Sequence, residues 1–477
     1  MVLTMQNQTD RDLPVPPHAL RLAGVALVGF LGGAGLRAQA FPYRVTDLGT
    51  LPGSSASLAR GMSPDGTKIV GWCADRAFLW REGQGMTQLA SLPGYSRAYG
   101  YDVNDAGLVC GQAGLEVTGP EPARAVVWNQ AGVPTSLGTI GGGRFSMARA
   151  INGLGVVAGT SESLPTTTLW HAFAWDSGSG MVDVTPGAAD HQGWGLNEFG
   201  EIVGVAGFSA WRHAPGSGIQ YLGQPAGFAY SAAFAINAAG QVCASVTSAS
   251  GNTQRLARFT DGVGWEILGG VGQLNQPTGI NSFGQVVGTS NNTPRAPLFT
   301  DGIGLQDLNA LVDPAGGWFI LQGYEINDRG QISGHAFSNV LGQTRAIRLD
   351  PQFVQTYGTG CSNAAGRAPK LLVAGLPRAQ QTVVVMLAEG APAAPAAIVM
   401  SAAPAAVPFP GGCDVLISVP ELASVVLTTD TNGQARLPVV LPTGLQPGTV
   451  YLQAAVLDAS SPNGLGTLSN GVAMQFQ

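Results

Sequence analysis

Lysine is almost missing from this sequence: Lys68 and Lys370 are the only two in 477 residues. Charged residues make up 11% in all, and the arginines are scattered without a cluster. A nucleic-acid-binding surface carries a basic patch or stripe, so nucleic acid is not an expected partner. The histidines beyond residue 40 (His171, His191, His213 and His335) show no metal-ligand spacing. Gly-x-Ser-x-Gly, zincin and EF-hand patterns are absent as well. No metal, cofactor or catalytic constellation is therefore expected. No apolar run reaches the roughly 20 residues of a membrane span. Long helices are disfavoured too, because glycine reaches 69 and proline 31. That much glycine without a Gly-X-Y period suggests many tight turns, as in all-β folds. With 45% hydrophobic residues and a net charge of only −6, the chain can bury a core and is not a disordered polymer.

The first 40 residues read as an export signal. Arg21 precedes an apolar, glycine-rich run from Leu22 to Leu36, followed by Ala38-Gln39-Ala40, a small-x-small pattern with cleavage expected after Ala40. The segment before Arg21 is long and carries Asp10, Asp12, Pro14, Pro16 and Pro17, and Met5 is an alternative start. An uncleaved anchor is the other reading. The mature protein is expected to be soluble, without a membrane span, secreted or cell-surface bound, and monomeric.

A repeat dominates the rest. An apolar residue, Asn, two variable residues and Gly recur as Val103 to Gly107, Ile151 to Gly155, Leu196 to Gly200, Ile236 to Gly240, Ile280 to Gly284 and Ile326 to Gly330. A divergent first copy is Met62-Ser63-Pro64-Asp65-Gly66. The glycine spacings are 41, 48, 45, 40, 44 and 46, a mean of 44. A second landmark is a basic residue, Ala and a closing aromatic, as in Arg76 to Trp80, Arg124 to Trp128 and His171 to Trp175. A third follows turns such as Asp261-Gly262 and Asp301-Gly302, whose dipeptides suit hairpins. Four short strands in each period is the mark of a propeller blade. The strand entering the Asn turn alternates small and large: Ala148, Arg149, Ala150, Ile151 in one copy and Gly193, Trp194, Gly195, Leu196 in the next.

Closure is also written in the chain. Tyr43 to Thr50 matches a fourth strand yet precedes the first repeat, while the seventh repeat ends at Asp350 without one. The N-terminal strand should therefore complete the last blade and remove both sheet edges. An open β-solenoid, the alternative, needs no such offset. The expected fold is thus all-β, a seven-bladed β-propeller over residues 41–350, followed by a small β-sandwich domain over 353–477.

Three blocks carry a resemblance: Asn281 to Gly288 (Asn-x-x-Gly-Gln-Val-Val-Gly), His171 to Trp175 (His-Ala-Phe-x-Trp) and Asp47 to Gly53 (Asp-Leu-Gly-Thr-Leu-Pro-Gly). Over residues 43–350 the chain resembles the HAF-repeat family of extracellular bacterial proteins. The first, fourth and fifth copies depart from its pattern, and Ser63-Pro64-Asp65-Gly66 looks instead like a TolB-type propeller repeat. The resemblance implies an extracytoplasmic location and brings no chemistry. Tyr357 to Cys361, Gly411 to Cys413 and Leu468 to Gly471 are similar to a terminal β-domain of bacterial secreted proteins.

Of the five cysteines, Cys361 and Cys413 are the only two in the tail, and in an exported protein they are expected to form a disulfide. Cys110 and Cys243 hold equivalent places in non-adjacent blades and, like Cys73, are expected to be free. Among polar residues, the recurrent asparagines Asn104, Asn152, Asn197, Asn237, Asn281 and Asn327 could form a sugar-binding rim, but turn chemistry explains them. Asp102 and Glu325 replace the usual Gly or Ala five residues before the glycine. Two carboxylates at one channel could act as acid and base on a glycoside; a rim charge or an ion-pair partner is the structural alternative. The functional expectation is a non-catalytic extracellular propeller binding a protein or polysaccharide. The alternative is a propeller glycoside hydrolase or polysaccharide lyase using Asp102 and Glu325.

Overall fold

The computed structural model describes residues 20–21 and 41–477 apart from 115–121, 165–168, 188–189, 271–274, 291–294, 364, 411 and 444. The expected leader and its cleavage site lie outside the described residues, save Leu20–Arg21, which pairs in parallel with Val439 and Val440.

Between Tyr43 and Pro351 the described strands form seven four-stranded antiparallel sheets. Six are continuous in sequence. The seventh joins Trp318–Ile326, Ile332–Ser338 and Gln343–Pro351 to Tyr43–Asp47. Tyr43 faces Pro351 and Asp47 faces Ile347, so Tyr43–Asp47 closes the last blade. This strand stops at Asp47 rather than Thr50, and Gly49 turns the chain away at φ +81°. Blade 7 also grips blade 1 directly. Ser333 Oγ donates to Arg60 O at 2.9 Å, and Arg348 donates to Gly66 O at 2.7 Å and to Glu82 at 2.8 Å. Buried side chains from both blades, Phe78, Trp80 and Ile69 with Ala346, share one cluster.

Each blade's inner hairpin follows from its Asn and Gly. In blade 3, Gly155 N donates to Asn152 O at 3.0 Å, and Gly155 sits at φ +81°, where a side chain would be strained. Asn152 Oδ1 accepts from Leu154 N (3.1 Å) and Val156 N (3.0 Å). Its Nδ2 then donates to Asn197 O of the next blade at 3.2 Å. The same inter-blade bond runs from Asn104, Asn197, Asn237 and Asn281. These asparagines are thus spent on turns and on stapling blades 2 to 7 together, and form no free rim. In blade 1, Asp65 takes over the turn by accepting from Thr67 N at 2.9 Å.

The strand entering that turn is not the simple alternation its sequence suggests. Ala148 pairs with Gly159 and Ala150 with Ala158, which leaves Arg149 unpaired in a β-bulge. Equivalent slips skip Tyr101, Trp194, Phe234, Thr278 and Tyr324, and in blade 1 the interval from Ala59 to Met62 includes Arg60. The bulge accounts for a recurrent glycine in the second strand. At Gly71, Gly111, Gly159, Gly204, Gly288 and Gly334 a Cβ would overlap a carbonyl oxygen of the bulged strand.

The tail packs two sheets over one core. Thr382–Ala388 lies between Lys370–Ala374 and Ala435–Val440, facing the sheet of Val354–Tyr357, Gly466–Phe476, Gly448–Leu457, Pro395–Ser401 and Ala423–Thr428. Val385, Leu387, Ile398, Leu452 and Met474 are buried between them. The Ala/Pro-rich stretch from Ala391 to Pro410 supplies two strands, Pro395–Ser401 and Pro404–Phe409. Cys361 and Cys413 form a disulfide with Cα atoms 5.1 Å apart, whereas Cys73, Cys110 and Cys243 are free and buried.

Candidate functional site

A bulge adds one residue to one strand, bends it and re-aims a side chain. Here the bulged residue of the inner strand faces the axis in every blade. Arg60, Tyr101, Arg149, Trp194, Phe234, Thr278 and Tyr324 line one cavity of about 480 Å³ to which all seven blades contribute. Residues five before the turn glycine sit where neighbouring inner strands touch. A Cβ at Gly61 would strike the backbone of Asp102, and one at Gly195 that of Ala235. That crowding explains the run of small residues and makes Asp102 and Glu325 exceptions.

The structure brings Asp102 and Glu325 to the wall of the same cavity. The oxygens of Asp102 accept from Val103 N at 2.7 Å and from Ile151 N at 2.8 Å, tying blade 2 to blade 3. Burial outweighs these two bonds and, with the Glu198 charge, pushes its pKa up to about 7. Burial and the Asp102 charge hold Glu325 well above the usual carboxylate range. Both carboxyls are therefore largely protonated in mildly acidic solution.

The arginines do not stand out as site residues in the sequence, because the residue type at their repeat position varies from blade to blade and forms no motif. Their only signal is size: a large residue stands six before the turn glycine in every copy but the sixth, which has Thr278. Arg60 Cζ lies 4.2 Å from the Tyr324 ring centre and 5.3 Å from that of Trp72. Arg149 Cζ lies 5.2 Å from the Tyr101 ring. The Nε atoms of both arginines are buried without a hydrogen-bond partner. Burial pulls the Arg149 guanidinium below its ordinary range, and Arg60 adds to that against the opposing effect of Tyr101. His335, whose ring lies 5.6 Å from that of Tyr324, is pulled down to about 4 by burial and by Arg60, so it is neutral at pH 7. The Trp194 and Phe234 rings on the same wall lie 4.5 Å apart. Gln276, Gln322 and Thr289 add amide and hydroxyl groups. The arrangement can accept a ligand with apolar faces, hydroxyls and a negative charge.

The other histidines do not gather here. His171 Nδ1 lies 2.7 Å from Asp183, and His191 Nε2 lies 2.9 Å from the Tyr221 hydroxyl. The closing aromatics of the third strands are core: Trp128 is fully buried and bonds Ala90 O at 2.7 Å.

No family model matches the chain, and no curated protein does. Among solved structures, it is similar to virginiamycin B lyase from Staphylococcus aureus, at 9% identity over 65% of this chain and 100% of that one, TM-score 0.46. It is similar to TolB from Acinetobacter baumannii, at 13% identity over 65% of this chain and 80% of that one, TM-score 0.32. A third is the Dos1 propeller, at 10% identity over 84% of this chain and 95% of that one, TM-score 0.29. Likenesses of this degree carry no argument about activity, and the propeller stands on its own seven sheets and closing strand.

Proposed function

We propose that the protein is an exported, non-catalytic binding propeller that takes a polysaccharide segment into its central channel. One observation carries this reading: in every blade the bulged residue faces a single cavity, and together these residues supply two arginines and four aromatic rings. A volume of about 480 Å³ lies within the roughly 300–1,000 Å³ of ligand pockets. Asp102 is engaged by two backbone N–H groups, which suits a structural carboxyl better than a catalytic one. Export is supported by Ala38-Gln39-Ala40 and by the tail disulfide. Membership of the HAF-repeat family is supported by the three linked sequence blocks.

A second reading has one observation in its favour. Asp102 and Glu325 share the cavity wall, and both have raised pKa values, a pattern that also marks acid–base pairs. The purified protein should be screened against a polysaccharide panel for binding by calorimetry and for turnover by release of reducing or unsaturated ends. Binding without turnover, weakened by Trp194→Ala, is the expected result. Turnover lost in both Asp102→Asn and Glu325→Gln would replace the binding reading with the glycosidase or lyase one.

A further inference from the structure

We propose that the channel selects an acidic saccharide, with Arg60 and Arg149 together holding the carboxylate of a uronic-acid unit. The inference rests on the channel-binding reading and names its ligand class. It starts from a contrast between three buried arginines and the two half-buried ones of the channel. Arg212, Arg258 and Arg348, on the third strands, each meet a carboxylate, at 2.8 Å from Asp261, 2.9 Å from Asp301 and 2.8 Å from Glu82. Among the described residues, Arg60 and Arg149, both on the channel wall, meet none within ion-pair distance; their Nε atoms, like that of Arg258, have no acceptor. Their recorded contacts are with aromatic faces.

Two like charges held in a partly desolvated channel without a counter-ion are costly. The acids in the wall do not supply one: among the described residues neither Asp102 nor Glu325 lies within ion-pair distance of either arginine, and burial raises both carboxyls above the usual carboxylate range. An incoming anion relieves that cost, and a guanidinium matches a carboxylate with paired N–H donors. The rest of the wall identifies the anion's scaffold. Trp194 and Phe234 offer apolar faces, while Gln276, Gln322 and Thr289 offer groups for hydroxyls. A sugar ring presents both kinds of surface; an acidic peptide lacks the dense hydroxyls. A nucleic acid would need a basic track over the surface, and the arginines outside the channel are scattered without a cluster.

The test uses calorimetry at about pH 6 with four probes: oligogalacturonate, its methyl ester, a sulfated oligosaccharide and an aspartate-rich peptide. The expected result is binding of oligogalacturonate at least about tenfold tighter than of its ester, weakening with salt. Arg60→Gln and Arg149→Gln should each weaken it about tenfold or more. The acid–ester comparison needs no variant, so it decides the matter even if these arginines prove necessary for folding. Equal binding of acid and ester, sensitive to Trp194→Ala, would overturn the carboxylate assignment and leave the channel reading standing. Tighter binding of the sulfated sugar or of the peptide would overturn it in favour of that class. No saccharide binding at all would remove both.

Discussion

Asp102 shows how one residue can carry a measurable signature of the channel. Its carboxyl rises from an ordinary 3.8 to about 7 in the folded state. Between those values the native protein holds a proton that the unfolded chain has released, so stability falls as pH rises. The contribution is complete below about pH 4 and is lost as pH passes 7. Glu325, also raised by burial and by the Asp102 charge, acts with the same sign. Asp102→Asn has no charge to bury and keeps one oxygen acceptor for Val103 or Ile151. Its urea midpoint should therefore decline less than that of the native protein between about pH 5 and about pH 8, and parallel curves would exclude Asp102 as the source. Asparagine makes the opposite case. Asn197 accepts from Phe199 N and Glu201 N, each at 3.0 Å, and donates to Asn237 O at 3.1 Å. Asn197→Ala leaves these groups without partners beside a buried turn and should cost about 2–4 kcal/mol, read from the same denaturation curves. Cost below about 0.5 kcal/mol would mean that the inter-blade bonds are incidental. The sequence exposed half of this role. Asn and Gly act within one hairpin, so their turn chemistry is local and visible; the bond to the next blade depends on a residue about 40 positions away.

At the scale of the strand, the second-strand glycine and the bulge form one unit. Gly204 faces Gln192 O and the Gly193 backbone, and the bulge they accommodate aims Trp194 into the channel. Blade 5 alone has a side chain at that place, Ala244. Gly204→Ala should cost about 1–3 kcal/mol through overpacking and should also weaken any ligand that depends on Trp194. A variant that melts with the native protein and binds equally would show that the bulge does not need the glycine. The closing strand was legible because its pattern was out of phase with the repeat. Without residues 41–47, Gln343–Pro351 becomes an open edge, and such edges pair with other chains. That shortened chain should elute as oligomers or aggregates, and a stable monomer would argue against closure. The bulges were not legible. Arg149 and Trp194 look like ordinary members of an alternating strand, because the extra residue appears only once the partner's register is known. For the same reason the sequence drew attention to Asp102 and Glu325, which break a repeated smallness, and passed over the arginines beside them.

Over the whole molecule, the tail is docked on the propeller. Phe283, from the blade 6 turn, is buried in the tail's own core cluster. Gln434 Nε2 donates to Gln241 Oε1 and to Ser282 O, both at 3.0 Å, and Arg436 lies 2.7 Å from Asp301. Lys370, one of the two lysines, bridges the bodies at 2.6 Å from Asp328 of the propeller and 2.6 Å from Glu389 of the tail. Burial works against its charge, yet the two carboxylates hold the ammonium above the usual lysine range. Nothing in the sequence near Lys370 announces this, since Asp328 and Glu389 are 42 and 19 residues away. Lys370→Ala leaves two acids facing each other without a cation. Allowing for the lysine's partial exposure, the cost should be about 1–3 kcal/mol, and it falls on the interface rather than on either core. Reduction of Cys361–Cys413 distinguishes interface loss from general loss, because that disulfide lies within the tail. In the native protein, reduction should lower the melting of propeller and tail together, since each supports the other. In Lys370→Ala, calorimetry should resolve two transitions, and reduction should shift only the tail's. If the propeller transition is indifferent to reduction in both proteins, the two bodies are energetically independent and the contacts through Lys370, Gln434 and Phe283 do not couple them.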